Sequence, residues 1–168
     1  MIIRQENPAD IPQIKQVNTL AFGRAAEAEL VDLLRANGHA TLSLIAEEDL
    51  IVGHVFFSPV CIHTPGGLVP AQGLGPVAVR PEAQRQGIGS ALIRAGIEHM
   101  RQAGHTILVV EGSPAYYSRF GFQDASLFGI RCEFSPPPGC FMVLSLAPGA
   151  LEGAHGLVCY SPEFQLVG

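Results

Sequence analysis

The residues with the most chemistry in them lie together, Gln84-Arg85-Gln86-Gly87-Ile88-Gly89-Ser90, a glycine-relieved turn between an apolar strand and a long amphipathic helix. The first N–H groups of a helix lack intrahelical acceptors and sit at the positive end of its dipole, so an anion there collects several hydrogen bonds at once. Glycines at 87 and 89 remove the Cβ atoms that would hold a phosphate off the main chain, and Arg85 can add a charge-assisted contact from the rim. The spacing predicts a pyrophosphate cradle. It is not a P-loop, since no Gly-Lys-Ser/Thr follows, and Leu92 stands where a dinucleotide fingerprint needs its third small residue. Gly-x-Gly pairs also open helices that bind nothing, so the turn needs support from elsewhere in the chain.

That support comes from both sides. Before the turn stands the strand Leu74 to Val79, within Pro76-Val77-Ala78-Val79-Arg80-Pro81; after it comes Pro114-Ala115-Tyr116-Tyr117-Ser118-Arg119-Phe120-Gly121-Phe122. With Gln84-x-x-Gly87-x-Gly89 between them, the chain resembles the GNAT superfamily of acyl-CoA-dependent N-acyltransferases, and its wording looks most like the YhbS-like branch. A C-terminal extension with Pro148-Gly149-Ala150-Leu151 and Tyr160-Ser161-Pro162-Glu163-Phe164 is similar too, so the resemblance covers nearly the whole chain. It implies an α/β fold of mixed, α+β-like type: a central, mostly antiparallel sheet with a splayed parallel strand pair, flanked by helices. It also implies transfer of the acetyl group of acetyl-CoA to a primary amine of a small molecule or peptide, with no metal. Monomer and homodimer both stay open. The rival from another class is a CoA-binding sensor that keeps the cradle and has lost transfer; a purely structural subunit is a third, weaker idea.

Pro76 cannot donate a ladder hydrogen bond, so pairing must loosen around it. In the superfamily the equivalent strand splays from its neighbour, and freed main-chain groups bind pantetheine as an extra strand. On that resemblance Val77, Ala78 and Val79 line the pantetheine, while Gln84, Arg85, Gln86, Gly87, Ile88, Gly89 and Ser90 hold the pyrophosphate. Tyr117 matches the tyrosine of the family's Tyr-x-x-x-Gly-Phe motif and would be the general acid, since a phenol with a pKa of about 10 stays protonated at neutral pH and can deliver its proton to the departing thiolate. If Tyr117 is only a core aromatic, Tyr116 takes the role. Glu111 is the candidate base, with His54 and His63 as alternatives. The branch carries an acidic residue near Ser113 and an apolar one at 111, so this chain departs there. Cys61, Cys132, Cys140 and Cys159 show neither a Cys-x-x-Cys pair nor zinc spacing, and read as reduced, mostly buried thiols. Direct attack in a ternary complex is therefore favoured over an acyl-enzyme.

These residues need elements to position them. Asn7 and Pro8 start a helix with Ile11, Ile14, Val17 and Ala21 on its apolar face; a second runs from about Ala25 to Asn37 with Leu30, Val31, Leu33 and Leu34 inward. Leu42 to Ala46 and Leu50 to Pro59 form a hairpin about Glu47-Glu48-Asp49, the second strand able to continue through Val60 to His63, and Gln72 to Arg80 leads into the cradle. The helix from about Gly87 to Ala103 presents Ile88, Leu92 and Ala95, and Ile107 to Val110 returns as a strand, one βαβ crossover with a parallel pair. Cys140 to Leu146 and a tail near Leu157 to Tyr160 are further strands. At 168 residues the chain reads as a single domain, 1–168, with 147–168 as the branch's extension. No run of about eighteen apolar residues spans a bilayer and no signal peptide is visible, so a cytoplasmic protein is expected. A net charge of -5 weighs against nucleic acid as a partner and suits a cationic acceptor.

Overall fold

The computed structural model describes residues 1–167. In chain order the strands are β1 (Ile2–Gln5), β2 (Leu42–Glu47), β3 (Ile51–Thr64), β4 (Gly67–Val79), β5 (Ile107–Glu111), β6 (Gln123–Asp124), β7 (Ile130–Cys132), β8 (Phe141–Ser145) and β9 (Gly156–Cys159). The α-helices are α1 (Ile11–Phe22), α2 (Ala26–Ala36), α3 (Ile88–Gln102) and the single turn α4 (Pro114–Tyr117). The chain forms two compact units: Met1–Ser58 with Leu74–His99 and the chain from Pro162 on, and Pro59–Gly73 with Met100–Ser161.

In the first unit β1 pairs antiparallel with β2, and β2 with β3, Leu42 opposite Phe57 and Ile45 opposite His54. A capping box opens α1 through a short 3-10 turn. Asn7 Oδ1 accepts from the N–H of Ala9 at 3.1 Å, and the Asp10 carboxylate accepts from the N–H of Asn7 at 2.8 Å. Gly23, at φ 69°, ends α1. Ile14 and Val17 pack with Ile45, Ile51 and Ala78, and Leu30, Val31 and Leu34 of α2 pack with Phe56 and Phe164. Leu33, expected inward, is 42% exposed, because three neighbouring leucine and valine positions already fill the stripe that faces the sheet. α3 packs close on β3: a Cβ at Gly53 would stand 2.9 Å from Ile88 and Leu92, and one at Gly96 2.5 Å from the Phe57 ring. Ile88, Leu92, Ile93 and Ile97 are buried along that contact, whereas the expected Ala95 is half-buried.

In the second unit β5 pairs parallel with β4 at Gln72↔Leu108 and Gly73↔Val109, the parallel pair expected of a strand–helix–strand crossover. β8 runs antiparallel to β5 and also carries β6; β9 pairs parallel with β7 and antiparallel with β3. Val60, Ile62, Ile107, Val109, Ile130, Phe141, Val143 and Val158 form its core. The mixed, mostly antiparallel sheet matches the sequence expectation. β6 and β7 were not foreseen: at two and three residues they are too short for alternation to register.

Candidate active site

In the first unit, β4 delivers the chain to the glycine turn. Its Gly75–Pro76 bond is cis, and beyond it the side chains alternate: Ala78 is buried against α1, while Val77 and Val79 are half-buried. Of the three residues expected at the pantetheine, Ala78 thus has only its main chain to offer. Arg80 then pins the strand end. This buried arginine donates its backbone N–H to Val52 O at 2.8 Å, Nε to Ile51 O at 2.7 Å and Nη2 to Gln16 Oε1 at 3.0 Å. Sequence reasoning passed over Arg80, although a lone arginine closing an apolar strand before a proline was a signal that its charge needed buried carbonyls.

A 3-10 turn, Pro81–Ala83, follows, and Gln84 Nε2 donates back to Val79 O at 3.0 Å. The Gln84 side chain is therefore a brace for the turn. Arg85 and Gly87 both adopt left-handed backbone, φ 63° and 82°. Nothing lies within 4 Å of where a Gly87 Cβ would stand, so Gly87 is needed for its conformation and leaves open space in front of the main chain. Ala91 donates to Gly87 O at 3.0 Å, so the α3 ladder begins there and the N–H groups of Ile88 and Gly89 precede any helical acceptor. Gln84, Arg85, Gln86 and Gly87 are exposed, Gly89 and Ser90 half-buried, and Ile88 is buried as the wedge that seats α3. This arrangement can receive an anion on main-chain donors.

In the second unit, β5 ends at Glu111, which is exposed opposite Phe141 and whose charge is felt by Cys132. Gly112 donates to Cys140 O at 2.8 Å, and Ser113 O accepts from Tyr116 and Tyr117 at 3.1 and 3.0 Å, winding α4 directly onto the strand end. Tyr117 lies on Gly112: a Cβ at 112 would stand 2.3 Å from Tyr117 Cε2. Its ring meets Tyr116 edge-on at 5.0 Å and Phe122 at 5.8 Å. Burial, helped by Tyr116, pushes the Tyr117 phenol up to about 12. Among the described residues its hydroxyl has no hydrogen-bond partner. Tyr116 instead packs under the Arg119 guanidinium, 4.5 Å from its ring centre. An open pocket of about 500 Å³ borders α4 at Pro114, Ala115 and Ser118, but neither tyrosine lines it.

The other candidates separate cleanly. His54 is fully buried; its Nδ1 faces Asn18 Nδ2 at 3.0 Å and its Nε2 faces Ser43 Oγ at 2.8 Å. Asn18 Nδ2 also donates to Ile14 O, and Ser43 donates to Glu6, so His54 is the neutral tautomer with its proton on Nε2. Burial pushes its pKa down to about 3. Burial draws Glu6 upward, but hydrogen bonds from Arg35 and Ser43 outweigh it and hold the carboxyl below its usual range. This chain of groups fastens α1 and α2 to the sheet. His63 is exposed on β3. Of the four thiols only Cys132 is buried, contrary to expectation, because three of the cysteines fall on strand faces or loop ends that the core does not cover. Among the described residues no cluster of three or more His, Cys, Asp or Glu side chains is placed to hold a metal ion, and no helix is long and apolar enough to cross a membrane.

Known proteins are similar to this chain in sequence and in fold. The acetyltransferase (GNAT) domain family matches residues 2–125. The uncharacterized N-acetyltransferase YhbS of Escherichia coli K12 is 38% identical over 166 residues, 98% of each chain. The crystal structure of E. coli YhbS in complex with CoA superposes with a TM-score of 0.92 at 37% identity, covering 99% of this chain and 93% of that one. A GNAT family acetyltransferase from Brucella melitensis in complex with acetyl-CoA gives 0.81 at 39% identity, covering 97% of each. This agreement in sequence and fold places the chain in the GNAT family of N-acetyltransferases.

Proposed function

We propose that this N-acetyltransferase takes acetyl-CoA as donor and transfers its acetyl group to a primary amine by direct attack, with no acyl-enzyme. The observation that carries this reading is the open, left-handed turn at Gly87 feeding α3, in a chain whose relatives of 37% and 39% identity are seen with CoA and acetyl-CoA. On it, the main chain of Gly87, Ile88, Gly89 and Ser90 receives the pyrophosphate, with Arg85 and Gln86 at the rim and Gln84 bracing the loop. Val77, Ala78 and Val79 offer main-chain groups to pantetheine and the acyl carbonyl. The whole chain, 1–168, acts as one transferase domain, and 147–168 is the branch's extension.

Tyr117 protonates the leaving thiolate. A phenol raised to about 12 holds its proton across the physiological range and, with no competing acceptor, has it available for sulfur. Glu111, exposed at the β5 end, takes the amine's proton directly or through water. Neither Cys132 nor Cys159 takes the acyl group: both are pushed up, chiefly by burial, away from the thiolate form that nucleophilic catalysis needs. Two measurements test this. CoA release is followed with acetyl-CoA against pooled amino acids, polyamines and peptides, and intact mass is followed with acetyl-CoA alone. Release with an amine and an unchanged protein mass without one are expected; a stoichiometric acetyl adduct formed and lost at the catalytic rate overturns direct attack, and no release with any amine overturns the transferase reading.

A further inference from the structure

The acyl-transfer residues leave four thiols unused, and β9 brings two of them together. It runs antiparallel to β3 with Cys61 opposite Cys159, Ile62 opposite Val158 and His63 opposite Leu157. Ile62 and Val158 are fully buried in the core of the second unit, so by alternation Cys61 and Cys159 emerge on the other face, where both are half-exposed. Backbone direction fixes the kind of pair. On β9 Val158 O accepts from Glu133 at 3.2 Å and Gly156 donates to Gly129 O at 3.0 Å, so even-numbered residues turn their backbone to β7 and odd-numbered ones to β3. Cys159 therefore exchanges hydrogen bonds with Cys61, a pairing with Cα atoms about 5.5 Å apart, inside the roughly 4.4–6.8 Å that a disulfide bridges. Neither remaining thiol joins them: Cys132 is buried on the core side, and Cys140 lies in the loop before β8.

We propose that Cys61 and Cys159 form a redox site, a cross-strand dithiol that low-molecular-weight disulfides of the glutathione class oxidise to an intramolecular disulfide, stapling β9 to β3. The site is independent of the transferase reading. Burial and a hydrogen bond to the Glu133 carboxylate push the Cys159 thiol up, so Cys61 attacks first. The Cys61 thiolate displaces one thiolate from the small disulfide and becomes a mixed disulfide; the Cys159 thiolate then attacks the Cys61 sulfur and expels the second. Two protein thiols lose two electrons, the small disulfide gains them, and the two protons end on the released thiols.

Reduced protein incubated with oxidised glutathione, acid-quenched and alkylated, tests this by mass. Before alkylation the intact protein is expected to be lighter by about 2 Da and to return to the starting mass with dithiothreitol; after alkylation the peptide map is expected to show a single Cys61–Cys159 cross-linked peptide with Cys132 and Cys140 alkylated. Closing a loop of about 100 residues should raise Tm by on the order of 10 °C over the reduced form. Cys159→Ser should stop at the Cys61 mixed disulfide; should that variant not fold, the wild-type peptide map still decides. Lasting glutathione adducts on wild-type protein, a bridge that includes Cys132 or Cys140, or no change in mass overturns the proposal.

Discussion

The place of the Tyr117 hydroxyl depends on a hydrogen atom at residue 112. An alanine Cβ there would stand 2.3 Å from Cε2 and 2.8 Å from Cδ2 of the ring, the first more than an ångström short of the 3.4 Å at which ordinary contact begins. Gly112 is not among the glycines with left-handed backbone, so alanine fits the local conformation and its methyl acts on the ring alone. The ring has little room to yield, with Tyr116 edge-on at 5.0 Å and Phe122 at 5.8 Å, so it must swing by about 1 Å or more. A misplacement of about 1 Å can cost roughly 10² in rate, and loss of a general acid about 10² to 10⁴.

Gly112→Ala should therefore lose on the order of 10² in the single-turnover rate of acetyl transfer, with acetyl-CoA affinity unchanged, and Tyr117→Phe at least as much. The double variant should lose no more than Tyr117→Phe, because a displaced ring without its hydroxyl has nothing further to misplace. Tyr116→Phe is the control and should stay near wild type. Burial sets the pH behaviour: the phenol is raised to about 12, so the wild-type rate should hold through pH 10, where an ordinary tyrosine would already be losing its proton, and the limb above it should vanish in Tyr117→Phe. Circular dichroism confirms the fold of each variant. A wild-type rate in Gly112→Ala, or losses that multiply in the double variant, refutes the account of Tyr117.

Gly89→Glu places a side chain and a like charge at the start of α3, and should abolish the thermal stabilisation by acetyl-CoA, which for wild type at about 100 times Kd is roughly 2.7 kcal/mol; an unchanged shift moves the cradle elsewhere. His54 is neutral when folded, with its pKa lowered to about 3 against 6.5 unfolded, so its contribution is complete above pH 6.5 and is lost as pH falls from 6.5 towards 3. Between pH 7.5 and 5 that is about 2 kcal/mol, read as a drop in urea stability that His54→Gln should largely remove; an equal drop in both proteins rules His54 out as its source. Gly156→Ala sets a Cβ 2.0 Å from His63 O and should cost about 1–3 kcal/mol, with amide exchange faster first in β9; unchanged stability shows that β9 can shift without loss.

Elements with long periodic stretches were legible in the sequence: α2 and α3 lie within a residue of their expected bounds, and so do β2 and β5, whereas α1 begins three residues after the expected Pro8 because Pro8–Asp10 winds as a 3-10 turn. β3 takes the continuation through Val60 to His63 that its sequence allowed, pairing with β9 there and ending at Thr64, whereas β4 starts at Gly67, five residues before the expected Gln72, as the sheet neighbour of β3. The stretch from Gln123 to Cys132 was not legible. Its two short strands and its 3-10 turn are held by β8, by β9 and by the Asp124 carboxylate on the Ser126 N–H, contacts from distant or purely local partners that leave no periodicity.

The reactive groups and the groups that place them differ in how they can be read. A motif exposes a tyrosine or a glycine pair because chemistry demands those residue types, whatever surrounds them. Positioning is done by whichever residue supplies the missing contact. Arg80 secures the end of β4 by spending its charge on Ile51 O and Gln16, and its backbone on Val52 O. Gly112 does the opposite, admitting the Tyr117 ring by having no side chain at all. Gln84 belongs to the motif, yet its side chain is turned back onto Val79 O. A motif glutamine thus acts as a brace, while a glycine outside the motif sets the position of the proposed acid. The consequence for mutagenesis is that Arg80→Lys, which keeps the charge but cannot reproduce a guanidinium's spread of donors, should disturb the glycine turn more than loss of any single exposed motif side chain.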